Sequence, residues 1–96
     1  MRDDASRAPA AFAGDIDDFV AFLKLERGLS DHTWRGYQSD LDQCAAFLAQ
    51  RGVSGWSTVT GDAPAAWLRQ LGGDDYTVAS VARKLAALRG LAKYLM

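Results

Sequence analysis

The sequence predicts an all-α fold, a small orthogonal bundle of four helices, on three observations. Apolar residues recur at three- and four-residue steps in four separate stretches. Each stretch is opened by a capping side chain or closed by glycine. No stretch alternates apolar and polar residues between hairpin turns. With 96 residues, 49% of them apolar, the chain has the material for one domain and a modest core.

The first helix is expected from Asp15 to Arg27, where Ile16, Phe19, Val20 and Leu23 share a face. Asp15, Asp17 and Asp18 then fall near its positive end and Arg27 near its negative end, both favourable against the helix dipole. Gly28 supplies a left-handed stop. Residues 1–13, rich in alanine and containing Pro9, read as a flexible arm, and residues 14–96 as the helical domain. The second helix starts after Ser30, a good N-cap, with Asp31 in its first turn. Its stripe is Trp34, Tyr37, Leu41, Cys44, Ala45 and Leu48, and Gly52 ends it after about twenty residues. Trp56, in the connection that follows, is expected against the core. Pro64 lacks an N–H and belongs only in a first turn, so the third helix is capped by Asp62 or Ala63. It runs through Trp67 and Leu68 to about Leu71, before Gly72 and Gly73. Thr77 caps the fourth.

Charge divides the chain unevenly. Overall it carries 11 Lys/Arg against 12 Asp/Glu, a formal net charge of −1. The final helix nevertheless holds Arg83, Lys84, Arg89 and Lys93 with no acid among them. At about 100° per residue, Val78, Val81, Leu85, Leu88, Ala92 and Leu95 face inward. Ala79, Ser80, Arg83, Ala86, Ala87 and Gly90 then face outward, flanked by Lys84 on one edge and by Arg89 and Lys93 on the other. Cations separated by residues of little bulk let a backbone approach a groove wall while the charges reach phosphates or base edges. A solvated surface helix is the plainer reading, but such helices usually mix both signs. The DNA reading requires Arg83 and Lys84 to stand clear of carboxylates. The second helix exposes His32, Thr33, Arg35, Gly36 and Ser39, with Tyr37 at the border. These groups lie near a helix N-terminus, where anions are favoured. Equally, Thr33 can bond within its own first turn and Tyr37 can belong to the core.

Other chemistry has little support. The lone Cys44 has no disulfide partner in the chain, and no Cys/His spacing suggests a metal site. No cofactor, small-molecule substrate or catalytic residue is expected, since nothing pairs the single histidine with an activated nucleophile. No apolar run is long enough for a membrane span or a secretion signal, which points to a soluble cytoplasmic protein.

Two motifs at this separation carry a resemblance. The second helix reads L-S-x-x-T-x-x-x-Y-x-x-D-L, on Leu29, Ser30, Thr33, Tyr37, Asp40 and Leu41. The fourth reads S-V-A-R-K-L-A-A-L-R from Ser80 to Arg89, followed by Lys93, Tyr94 and Leu95. Together with Val59 and Thr60 before the third helix, they resemble the N-terminal core-binding, SAM-like domain of tyrosine recombinases, the phage-integrase and Xer-type site-specific recombinases. The chain departs from the pattern at Ser39, at Ala86 and at Ala63-Pro64.

The resemblance implies half of a C-shaped clamp on a double-stranded DNA recombination half-site, with the second and fourth helices near the major groove. It also implies contacts with other recombinase protomers through the first helix. By position it places Thr33 and Tyr37 towards the DNA backbone at the second helix and Ser80, Arg83 and Lys84 towards the groove at the fourth, with Arg89 on the A-L-R element, where a structural role is equally open. Arg35 and Ala87 join these candidate DNA contacts from the exposed faces of their helices rather than from the resemblance. Catalysis in such proteins belongs to a separate C-terminal domain, expected to be absent here, and Tyr94 on its helix is no nucleophile. A competing class is a helical protein-protein interaction module, with Asp15, Asp17, Asp18 and Glu26 of one copy meeting the basic helix of another.

Overall fold

A computed structural model of the chain describes residues 8–59, 62–73 and 76–96. Four helices follow in order, α1 (Ala10–Leu25), α2 (Asp31–Gln50), α3 (Asp62–Gly73) and α4 (Val78–Leu95), with a short 3-10 turn at Trp56–Thr58. No strand occurs among the described residues. The all-α expectation holds.

Local signals set most of the boundaries. The Ser30 side chain accepts the Thr33 N–H at 3.3 Å, and Thr77 accepts the Ser80 N–H at 3.0 Å, so two helices begin at the caps their sequences advertise. Gly28 and Gly52 take φ of 63° and 87° after α1 and α2, the left-handed turn that glycine enters at least cost. The third helix begins at Asp62 and continues to Gly73, so neither Asp62 nor Ala63 is its cap and the two glycines do not stop it. Residue 61, which precedes it, and Thr60 of the resemblance lie outside the described residues. Pro64 sits in the first turn of α3, where its missing N–H costs nothing.

The first helix starts earlier than its acidic residues suggest. It begins at Ala10, inside the segment expected to be a flexible arm, and Asp15, Asp17 and Asp18 fall in its middle. The cause is Phe12, which is 1% exposed and packs edge-on against Trp56 with ring centroids 5.1 Å apart. The Trp56 indole Nε1–H donates to the Phe12 carbonyl at 3.1 Å, tying the first turn to the α2–α3 connection. Phe12, Ile16, Phe19 and Leu23 make the buried stripe of α1. Leu41, Cys44, Ala45 and Leu48 meet it from α2, Trp67 and Leu71 from α3, and Leu91 from α4.

The fourth helix is turned differently from its apolar pattern. Lys84, Ala87 and Leu91 are its buried residues, while Val78 is 87% exposed and Leu95 42%. Relative to the expected stripe this is a rotation of roughly a quarter turn at 100° per residue. Ala87 and Gly90 therefore face the core rather than the solvent. A Cβ on Gly90 would stand 3.0 Å from the Phe19 ring, so the lack of a side chain there is what admits that ring.

Cys44 has no exposed surface, and burial pushes its thiol up from about 9 to about 12. The native thiol should resist alkylating reagents at neutral pH until the chain unfolds. Because the folded state holds the proton more tightly, this group's contribution is intact below about pH 9. It is lost as the pH rises towards about 12, since only the unfolded chain then releases the proton. Thiol titration against urea, and unfolding curves above pH 9, check both statements.

Candidate nucleic-acid interface

The contact between α2 and α4 is organised by one carboxylate. Asp40 has no exposed surface, yet its helix offers no cation one turn away. Its partners come from α4. Arg83 donates from Nε to Oδ2 and from Nη2 to Oδ1, both at 2.8 Å, and Lys84 donates from Nζ to Oδ1 at 2.9 Å. The Lys84 ammonium also donates to Gln43 Oε1 at 2.7 Å and lies 5.1 Å from the Tyr76 ring centroid. Burying one carboxylate is tolerable because three charge-assisted bonds satisfy it.

The condition that Arg83 and Lys84 stand clear of carboxylates is not met, since both are paired with Asp40. Lys84 is 2% exposed and is lost from the outer face altogether. Ala87 is also withdrawn from the outer face, being fully buried. The Arg83 side chain is different, since 49% of it remains exposed despite the pair. Its hydrogen bonds to Asp40 raise its proton affinity above that of a free arginine, more than partial burial lowers it. The compensating acid for α4 therefore exists, but on α2, where the composition of α4 alone could not show it.

The remaining candidates separate by role. Thr33 is half-buried, and its hydroxyl lies 2.9 Å from that of Ser30, so it completes the cap. Ser80 is half-buried and accepts the Thr77 hydroxyl at 3.0 Å, the same role on α4. Tyr37 is half-buried and, with Thr33, Arg27 and Lys93, lines a cavity of about 470 Å³ between α1, α2 and α4. Arg35 is exposed, its guanidinium 5.2 Å from the Trp34 ring centroid. Arg89 is exposed, and so are Ala79, Ala82, Ala86 and Lys93 on the same helix. Tyr94 packs against Phe19 and Phe22 at centroid distances of 5.5 and 5.2 Å, an aromatic cluster rather than a reactive position.

The bare surface of α4 is thus a row of alanines carrying Arg83, Arg89 and Lys93, and α2 adds Arg35. Asp40, which holds Arg83, entered the sequence reading only as a motif residue, and Gly36 only as part of the exposed side of α2. The available signal was an aspartate on the apolar stripe of α2, between Tyr37 and Leu41, with no cation within one turn. Among the described residues no helix is long and apolar enough to cross a membrane.

The family model for the phage integrase N-terminal SAM-like domain matches residues 16–96. Among curated proteins, the chain is 36% identical over 80 residues to tyrosine recombinase XerC of Herpetosiphon aurantiacus, covering 83% of this chain and 26% of that protein. It is 40% identical over 79 residues to tyrosine recombinase XerC of Bifidobacterium longum, covering 82% and 22%. With tyrosine recombinase XerC of Vibrio parahaemolyticus it is 35% identical over 92 residues, covering 92% and 28%. The chain therefore spans about a quarter of the length of the curated relatives it matches. No solved structure gives a match.

Proposed function

The chain belongs to the family of phage-integrase N-terminal SAM-like domains, and from that premise we propose that it binds duplex DNA sequence-specifically as the N-terminal half of a site-specific tyrosine recombinase. Its part in recombination or integration is to hold a half-site. Strand cleavage and joining belong to sequence outside the region aligned with its relatives, so no residue here is assigned a catalytic role. The observation that carries the reading is the outer face of α4, where Arg83, Arg89 and Lys93 project between exposed alanines. Alanines permit close approach to the groove, and the guanidiniums and ammonium supply phosphate and base contacts. The work is cytoplasmic, on the DNA held there.

Binding should show the electrostatic signature of phosphate neutralisation. A labelled duplex of arbitrary sequence, titrated with the chain and followed by fluorescence anisotropy, is expected to give a dissociation constant on the order of 10⁻⁴–10⁻⁶ M that weakens steeply with salt. Affinity unchanged between low and physiological salt counts decisively against the proposal.

Contacts with further recombinase protomers are part of the same reading. On α1, Leu25 is 81% exposed, and Asp17, Asp18 and Glu26 are exposed with it. This acidic, partly apolar face complements the basic surface of α4, and it also supports the interaction-module reading. Concentration-dependent sedimentation without DNA favours the module; association that requires DNA favours protomers assembling on a site.

A further inference from the structure

We infer that Asp40 is a positioning residue that presets Arg83 as a reader of guanine, and that Gly36 keeps the approach to it open. This rests on the DNA-binding reading above and names the chemistry of its central contact.

The argument starts from donor counting. A guanidinium carries five N–H donors in one plane. Asp40 accepts one from Nε and one from Nη2, which consumes the side edge of the fork. Both Nη1 hydrogens and one on Nη2 are left, and one from each nitrogen point the same way. That end-on edge matches the two neighbouring acceptors, O6 and N7, that guanine shows in the major groove. The carboxylate itself is braced from behind, because Lys84 Nζ bonds both Asp40 Oδ1 and Gln43 Oε1. A long, rotamer-rich side chain is thereby held in one orientation before any ligand arrives, while half of it stays exposed. A side chain set in advance by a second residue loses less freedom on binding.

Gly36 supplies the second observation. A Cβ built there would lie 3.6 Å from Arg83 Nη1 and 3.7 Å from Cζ and Nε. Glycine is costly inside a helix, and its φ lies outside the left-handed range, so backbone geometry does not require it. What it provides is a bare guanidinium face. A longer side chain at this position would lie alongside the guanidinium.

The test uses the 96-residue chain and a pool of randomised duplexes. Wild type should enrich sites with one guanine that the Arg83→Gln and Gly36→Leu variants no longer select, other positions being retained. Replacing that guanine by 7-deazaguanine, which lacks the N7 acceptor, should weaken wild type roughly 5- to 150-fold and Arg83→Gln hardly at all. Asp40→Asn, which can no longer accept from both nitrogens, should lose the same preference while keeping the salt dependence. If Asp40→Asn does not fold, nitrogen NMR of the free wild-type chain decides: resolved, slowly exchanging Arg83 side-chain protons support the clamp, and freely averaging ones overturn it. Equal weakening on every sequence by Arg83→Gln, with a salt slope shallower by about 0.9, makes Arg83 a phosphate contact and overturns the guanine assignment. A guanine preference that survives in Gly36→Leu overturns the open approach. If wild type retains no duplex at all, the DNA-binding reading itself falls, and this assignment with it.

Discussion

Replacing Asp40 with alanine is expected to lower the unfolding free energy by about 3–5 kcal/mol, the range found when one partner of a buried ion pair is removed. The size follows from what is left behind. Lys84, at 2% exposure, keeps only the Gln43 carbonyl as a hydrogen-bond partner besides the Tyr76 ring. An ammonium in that position must stay charged without its counter-ion or give up its proton, and both are expensive. Lys84→Met should behave oppositely, because Asp40 retains both bonds from Arg83 and methionine fills a similar volume. Its stability should stay within about 1 kcal/mol of the parent, or rise, as buried pairs replaced by apolar groups often do. Urea unfolding of both variants checks the pair of statements. Comparable losses would mean that the Lys84 ammonium is as necessary to the fold as the Asp40 carboxylate.

That contrast shows how far the sequence was legible. Caps and stops are local chemistry, so Ser30, Thr77, Gly28 and Gly52 were readable without knowing what they pack against. The start of α1 was not, because three aspartates resemble a first turn while the deciding residue, Phe12, is held by Trp56 some forty positions on. The facing of α4 failed for a related reason. Lysine is almost never buried unless paired, and a helical wheel contains no partner from another helix. Val78 and Leu95 extended the apparent stripe to the helix ends, where the core does not reach, and the wheel drew the axis between them. Asp40 pulls Lys84 inward and turns the helix with it. The same pairing cancels the argument from missing acids, since the acid that balances α4 is on α2. Arg35, Arg89 and Lys93 stay exposed, and Arg83 keeps 49% of its side chain exposed although it shares Asp40 with Lys84.

Neutralising Arg35, Arg89 and Lys93 together to glutamine should abolish most of the affinity for duplex DNA. If each contacts a phosphate, the slope of log K against log salt falls by about 2.7, at 0.9 per contact, and affinity at 50 mM salt drops on the order of 10³-fold. The fold should survive, since exposed substitutions of this kind usually change stability by no more than about 0.5 kcal/mol each. Trp34 keeps Lys24 over its ring at 4.5 Å when Arg35 is removed, so the α1–α2 contact is not stripped of its cation. Lowering the net charge also weakens association with any polyanion at long range, so a control that removes cations elsewhere is needed. Arg51 and Arg69 are exposed but lie at the far end of α2 and on α3, away from the outer face of α4. Their double glutamine variant should reduce the affinity only slightly and leave the slope almost unchanged. Lys84→Met, which removes a cation of equal charge that is turned inward, should leave the slope unchanged as well. Equal losses across these variants would mean that overall charge, not a surface, attracts the DNA; a loss confined to the first set places the contact on α4 and the start of α2.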